Sequence, residues 1–277
     1  MDNHTRKKIL AAFRHNPMAI AGTILILFFA LTALLAPWVA GDPNTLDVNA
    51  RLVAPCAAHP FGTDEMGRDY LARCIYGGRT SLLVGFLSMI LSTAIGVAIG
   101  SVSGYLGGKT DIVIMRLVDA LLSLPTFLIM MVMNAYLSAG IRNVILIIGF
   151  LTWMNLARIV RGETLTLKER EYVVYSRISG QKRFRIILRH ILPNMMPTII
   201  VSATINVAQA ILMESALSFF GLGIVPPTAS WGSMLNNAQN RMTTAPWLAI
   251  FPGLLILLTV LSFNYVGEFL RKAYDRS

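Results

Sequence analysis

Six long apolar runs, at roughly 18–39, 81–106, 120–138, 144–160, 195–219 and 247–269, limit what this chain can fold into. Runs of this length cross a hydrocarbon core about 30 Å thick as helices. Backbone polar groups find no water there, so they must bond within the segment. A membrane β-barrel would need alternating strands, whereas these runs are continuous. Composition agrees: 55% of residues are hydrophobic and 14% charged, against about 25% charged in soluble domains. The expected fold is an all-α polytopic membrane protein with six transmembrane helices.

The net charge of +10 would suit nucleic acid if it lay on one soluble face. Its distribution argues otherwise. Arg6, Lys7, Lys8 and Arg14 precede the first run, and Lys109 and Arg116 fall between the second and third. A dense basic group follows the fourth, and Arg271, Lys272 and Arg276 follow the sixth. All share one side if the chain crosses six times. The other side carries Arg51, Arg68, Arg73, Arg79, Arg142 and Arg241, balanced in part by Asp42, Asp47, Asp64, Glu65 and Asp69. The positive-inside bias makes the first side cytoplasmic, with both termini inside and no nucleic acid needed. The first run lacks a small-x-small cleavage site before Gly41, so it is expected to remain as an anchor.

The outer segment 41–80 holds Pro43, Pro55, Pro60, Gly62 and Gly67, which predict turns, followed by a short helix near 68–76 lying along the membrane. Cys56 and Cys74 both fall here, as a disulfide or as two free thiols with Cys74 buried on the helix. Cys56 and His59 form a CxxH pair near Asp64 and Glu65, short of the four ligands of a structural metal site. No metal site is expected.

Enzymatic signatures are missing. The segment 104–110, GYLGGKT, superficially resembles a phosphate loop, but Ser103 stands where that loop needs glycine, and no soluble strand precedes it. It reads as a tight cytoplasmic turn. Neither HExxH nor GxSxG occurs. Glu214 is the one ionisable candidate within a span, near the outer end of the fifth. Polar residues inside the spans form two stripes: Ser202, Asn206, Gln209 and Met213 in the fifth, and Ser123, Thr126, Met130 and Asn134 in the third. Helical spacing puts each set on one face, which reads either as a translocation path or as hydrogen-bonding between helices. Gly96, Gly100 and Gly104 make small-xxx-small spacings that predict close helix packing.

The polar stretch 169–194 stands apart, with Arg170, Arg177, Lys182, Arg183, Arg185 and Arg189 between two apolar blocks and Gly180 read as an internal hinge. It resembles the EAA loop of permease subunits in binding-protein-dependent ABC importers. The likeness covers Arg170-Glu171-Tyr172-Val173, Arg177, Gly180 and Arg189-His-Ile-Leu-Pro-Asn194. Where the family has Glu-Ala-Ala, this chain has Val174-Tyr175-Ser176. The segment His59-Pro-Phe-Gly-Thr-Asp-Glu-Met-Gly-Arg-Asp69 is similar to a signature of the second permease subunit in dipeptide, oligopeptide and nickel importers. Gly104-Tyr-Leu-Gly-Gly, Met115-Arg-Leu-Val-Asp119, Glu214-Ser-Ala-Leu-Ser-Phe-Phe-Gly-Leu-Gly223 and Pro226-Pro-Thr-Ala-Ser-Trp-Gly232 fit the same subfamily.

That resemblance implies a type I importer transmembrane domain. Residues 1–77 would hold the tail, first helix and external segment, 78–270 five helices with a coupling loop at 163–194, and 271–277 a cytoplasmic tail. The chain would be a non-enzymatic permease of the bacterial cytoplasmic membrane, importing peptides, with nickel or a nickel chelate as the alternative and a stand-alone channel as a third reading. Implied partners are a second homologous permease, two cytoplasmic ATPases that hold ATP and Mg, an external substrate-binding lipoprotein or periplasmic protein, and membrane lipid. Coupling would fall to Arg170, Glu171, Tyr172, Val173, Val174, Tyr175, Ser176, Arg177 and Gly180. Switching a two-state protein from 1:99 to 99:1 takes about 5.5 kcal/mol, whereas an exposed ion pair supplies about 0–1 kcal/mol. A seated helix with Tyr172, Val173 and Tyr175 as wedges is therefore expected to carry the stroke rather than the arginines.

Overall fold

The computed structural model describes residues 12–137 and 140–275; Arg6, Lys7, Lys8, the Ser138 end of the third run and Arg276 lie outside these. The described residues are helical apart from turns, loops and one isolated bridge between Thr63 and Asp69. Helix α1 (Pro17–Leu34) starts at Asn16, whose side chain accepts from the Ala19 amide at 3.1 Å, with Pro17 in the first turn. Its outward side, including Ile24, Leu27, Phe28 and Leu31, is exposed as a lipid-facing surface should be.

The outer segment is tied into a compact knot by the residues of its signature. The Thr63 hydroxyl donates to the Ala50 carbonyl and accepts from the Val53 amide. Asp64 Oδ1 accepts from the Met66 and Arg68 amides, and Oδ2 accepts from the Arg68 guanidinium at 2.7 Å with Arg73 Nε 3.4 Å away. Gly67 adopts φ 76°, and a Cβ there would fall 1.7 Å from the Asp47 carbonyl oxygen, so only glycine fits. Asp69 caps the next helix through the Ala72 amide at 2.8 Å and holds His59 at 3.0 Å.

That cap begins α2 (Tyr70–Leu106), a single helix of 37 residues. The short surface helix expected near 68–76 is therefore the first part of the second span. The expected domain boundary between 77 and 78 falls within it. Cys56 and Cys74 are free thiols, the first exposed and the second buried. His59, Asp64 and Glu65 are engaged with Asp69, with Arg68 and Arg73, and with Arg241 respectively. Among the described residues, no cluster of three such groups could hold a metal ion.

Helices α3 (Gly108–Leu122) and α4 (Thr126–Tyr136) meet at 79°, where a straight third span over 120–138 was expected. Pro125 explains the break. It lacks an amide hydrogen and disfavours helical dihedrals at Leu124, while hydropathy alone passes smoothly through the bend. Helix α5 (Ile141–Leu167) packs along α2. A Cβ on Gly96, Gly100 or Gly104 would lie 2.9, 2.5 or 2.8 Å from the carbonyl oxygens of Trp153, Ala157 and Arg161. The small-residue spacing thus finds its partner in α5. Arg161 holds Asp111 with two bonds of 2.5 Å, and Ser103 donates to the same carboxylate at 2.6 Å, fastening α3 to α5 and α2.

After α6 (Glu171–Ile178), helix α7 (Arg183–Phe219) rises from the loop into the membrane without interruption. It includes a π-helical turn over Ile187–Ile191, where the Leu192 amide reaches back to the Ile187 carbonyl just before Pro193. Helix α8 (Trp231–Ala238) opens with a capping box between Ser230 and Ser233. Helix α9 (Trp247–Asp275) closes the fold against α1, where Gly22 admits the Ser262 backbone.

The interior is layered from the outer side inward. Tyr70, Cys74, Trp231, Met234 and Leu248 form the outer layer. Val84, Met130, Val144, Ile147 and Leu217 form the middle one. Leu156, Val160, Val173, Ile186, Ile191 and Met195 form the cytoplasmic one.

Candidate coupling site and translocation path

The cytoplasmic layer anchors the polar loop. Arg170, in an extended conformation, turns the chain out of α5 and starts α6. Val173, 1% exposed, packs with Ile186, Ile187, Ile191 and Met195. The Ser176 hydroxyl donates to the Tyr172 carbonyl at 2.8 Å and lies 3.3 Å from His190 Nε2. The Tyr172 ring sits 6.5 Å from that of His190. Val173 and Ser176 therefore bind α6 to the base of α7 and do not face outward, a correction to the wedge expected of Val173. Val174 is half-buried.

Gly180 ends α6 as a cap. It adopts φ 75°, its amide donates to the Arg177 carbonyl, and the Gln181 amide donates to the Ser176 carbonyl. This paired pattern is a Schellman motif, which satisfies the last carbonyls and makes a defined turn rather than the hinge expected. The outcome is a helix–turn–helix in which Tyr175 and Ile178 share the exposed face of α6, while Phe184, beyond the turn, lines an apolar groove with Val97 and Ser101 of α2. Tyr175 is 77% exposed, Ile178 79% and Phe184 70%, with Tyr172 partly shielded by His190. Glu171, Arg170 and Arg177 are also exposed. Ile178 and Phe184 were missed from sequence. Apolar side chains flanking a glycine cap in an otherwise basic loop were the available signal.

The expected path residues divide. Ser202 lines an open cavity on the cytoplasmic half, Asn206 is half-buried, and Gln209 is exposed. Met213 packs against the middle layer. Met130 and Asn134 are turned inside the subunit by the bend before α4, so that stripe does not line an open face. Ser123 is exposed at the bend, its hydroxyl donating to the Ala120 carbonyl at 2.7 Å. Glu214 is fully buried and accepts from Ser81 at 2.9 Å and Ser218 at 2.8 Å. Ser81 also accepts from the Trp231 amide at 3.3 Å, so the carboxyl joins α2, α7 and the start of α8.

This arrangement can be set beside known proteins. Residues 96–277 match the family model described as the binding-protein-dependent transport system inner membrane component. Residues 6–55 match the N-terminal transmembrane domain of oligopeptide transport permease C. The chain belongs to this permease family. Membership makes it a multi-pass inner-membrane subunit with the type I ABC importer transmembrane fold. The permease is 42% identical over 266 residues to a putative peptide permease protein of Brucella suis biovar 1, covering 95% of this chain and 88% of the relative. It is 41% identical over 268 residues to the oligopeptide transport system permease protein OppC of Haemophilus influenzae, covering 95% and 86%. The probable D,D-dipeptide transport system permease protein DdpC of Escherichia coli is 37% identical over 269 residues, covering 97% and 90%.

Proposed function

We propose that the permease forms part of the path by which an ATP-driven importer takes up short peptides delivered by an external binding protein. The names of its relatives support peptides over the nickel alternative. In this reading it works beside a second, homologous permease, and two cytoplasmic ATPases hold ATP and Mg and carry out hydrolysis.

The observation that carries the coupling role is the exposed Tyr175–Ile178 pair on α6, a helix held to the base of α7 by Val173 and Ser176. Burying two such side chains in an ATPase groove yields about 1.5–3 kcal/mol each. The gross total is on the scale of the roughly 5.5 kcal/mol that a full population switch requires. The surrounding arginines orient the loop and meet lipid phosphates.

Reconstitution with the partner subunits tests this. Tyr175→Asp, on the exposed face, is expected to leave assembly and membrane insertion intact. Peptide uptake should fall at least about tenfold, the loss of one well-seated aromatic anchor, while ATP hydrolysis persists. Normal uptake by this variant would remove the coupling assignment.

A further inference from the structure

The cytoplasmic-side cavity has a volume of about 580 Å³ and lies between α5, α7 and α9. Glu163 of α5, Asn194, Thr198 and Ser202 of α7, and Arg271 and Tyr274 of α9 contribute its polar lining. Glu163 stands about one turn from the end of α5. Its Oε2 is buried without a hydrogen-bond partner, and Thr198 lines the same cavity. A carboxylate oxygen left in that state keeps its desolvation cost until a donor arrives. Arg271 is exposed and brings a permanent positive charge to the same cavity.

We propose that this cavity is a cytoplasmic-side binding site for the zwitterionic main chain of a short peptide. Glu163 receives the α-ammonium group and Arg271 the α-carboxylate. The volume falls within the range of about 300–1,000 Å³ usual for small-molecule sites. A bare cation would meet one carboxylate opposed by a guanidinium, whereas a zwitterion matches both signs. The Thr198 and Ser202 hydroxyls in the same lining suit the peptide bond without selecting side chains. An importer of varied peptides needs that property. The inference rests on the peptide reading above and assigns a substrate contact within it.

The test uses the assembled importer in inside-out vesicles, with Ile159→Cys, at an exposed apolar position in the cavity wall, as a reporter labelled from the cytoplasmic side by a membrane-impermeant maleimide. Cys74 is buried and Cys56 lies on the outer segment, so neither competes. Dialanine at millimolar concentration is expected to slow labelling about tenfold, as for a ligand held by charge-assisted hydrogen bonds. N-acetyl-dialanine and dialanine amide should protect much less. Adding Glu163→Gln should abolish the difference between free and N-acetylated dialanine, because the two changes remove the same contact.

Undiminished labelling in the presence of dialanine would overturn the site. So would equal protection by the N-acetylated peptide with Glu163 present, the result expected if this carboxyl instead meets a neighbouring subunit. Should the double variant fail to assemble, the comparison of free and capped peptides with Glu163 intact decides alone. Uptake by the unaltered importer is measured separately. Uptake without protection sinks the site, whereas protection without uptake sinks the transport reading.

Discussion

Gly180 occupies the left-handed region with open space where a side chain would project. Substitution there meets no clash, and its cost is one of backbone conformation alone. Gly180→Ala should therefore destabilise the loop by about 1–2 kcal/mol, and Gly180→Asn by less, since asparagine tolerates this region. Thermal unfolding of the solubilised importer complex, followed at a probe on α6, would rank the three as Gly, Asn, Ala. The sequence marked this glycine by position but not by geometry. A mid-segment glycine reads equally as a hinge or a cap until the Gln181-to-Ser176 bond is seen. For the same reason Val173 was read as a contact residue. Its inward direction depends on Ile186 and Ile191, which return to it only after the chain has turned.

Between elements, the decisive contacts are polar groups meeting across helices and glycines admitting backbone. Asp111 joins α3 to α5 through Arg161 and to α2 through Ser103. Asp111→Ala is expected to destabilise the subunit by about 1–3 kcal/mol. Adding Arg161→Ala should cost less than the sum of the two single changes, because both remove one interaction. Additive losses in unfolding midpoints would show that the pair is not a unit. The apolar runs made five spans and the close packing of α2 readable in advance, because hydropathy and small-residue spacing are periodic, local properties. They hid the bend at Pro125 and the early start of α2. A kink and an Asp69 cap each turn on one or two residues that hardly alter the hydropathy of a window.

At the scale of the molecule, the two sides differ in how their charges are held. Of the six arginines expected outside, Arg68, Arg73 and Arg241 are engaged by Asp64 and Glu65 and Arg51, Arg79 and Arg142 are exposed, whereas Lys182, Arg183, Arg185 and Arg189 form one exposed basic group on the other side. Cys56 gives a direct check. An impermeant thiol reagent added outside intact spheroplasts should label the permease once. Cys56→Ser should abolish that label and Cys74→Ser should leave it unchanged; labelling only after lysis would invert the topology. Stripes of polar residues proved less informative at this scale, because whether a helical face opens to a path or to a neighbour depends on how α4 is turned. Helix α7 carries one further consequence. At 37 residues it is about 55 Å long, with its foot beside α6 and its head near Glu214. Pivoted near the π-helical turn, such a rod magnifies. A tilt of about 5° displaces the far end by about 4 Å, the rise of two or three residues. In the coupling role proposed above, small travel at the foot of α7 would become larger travel near Glu214.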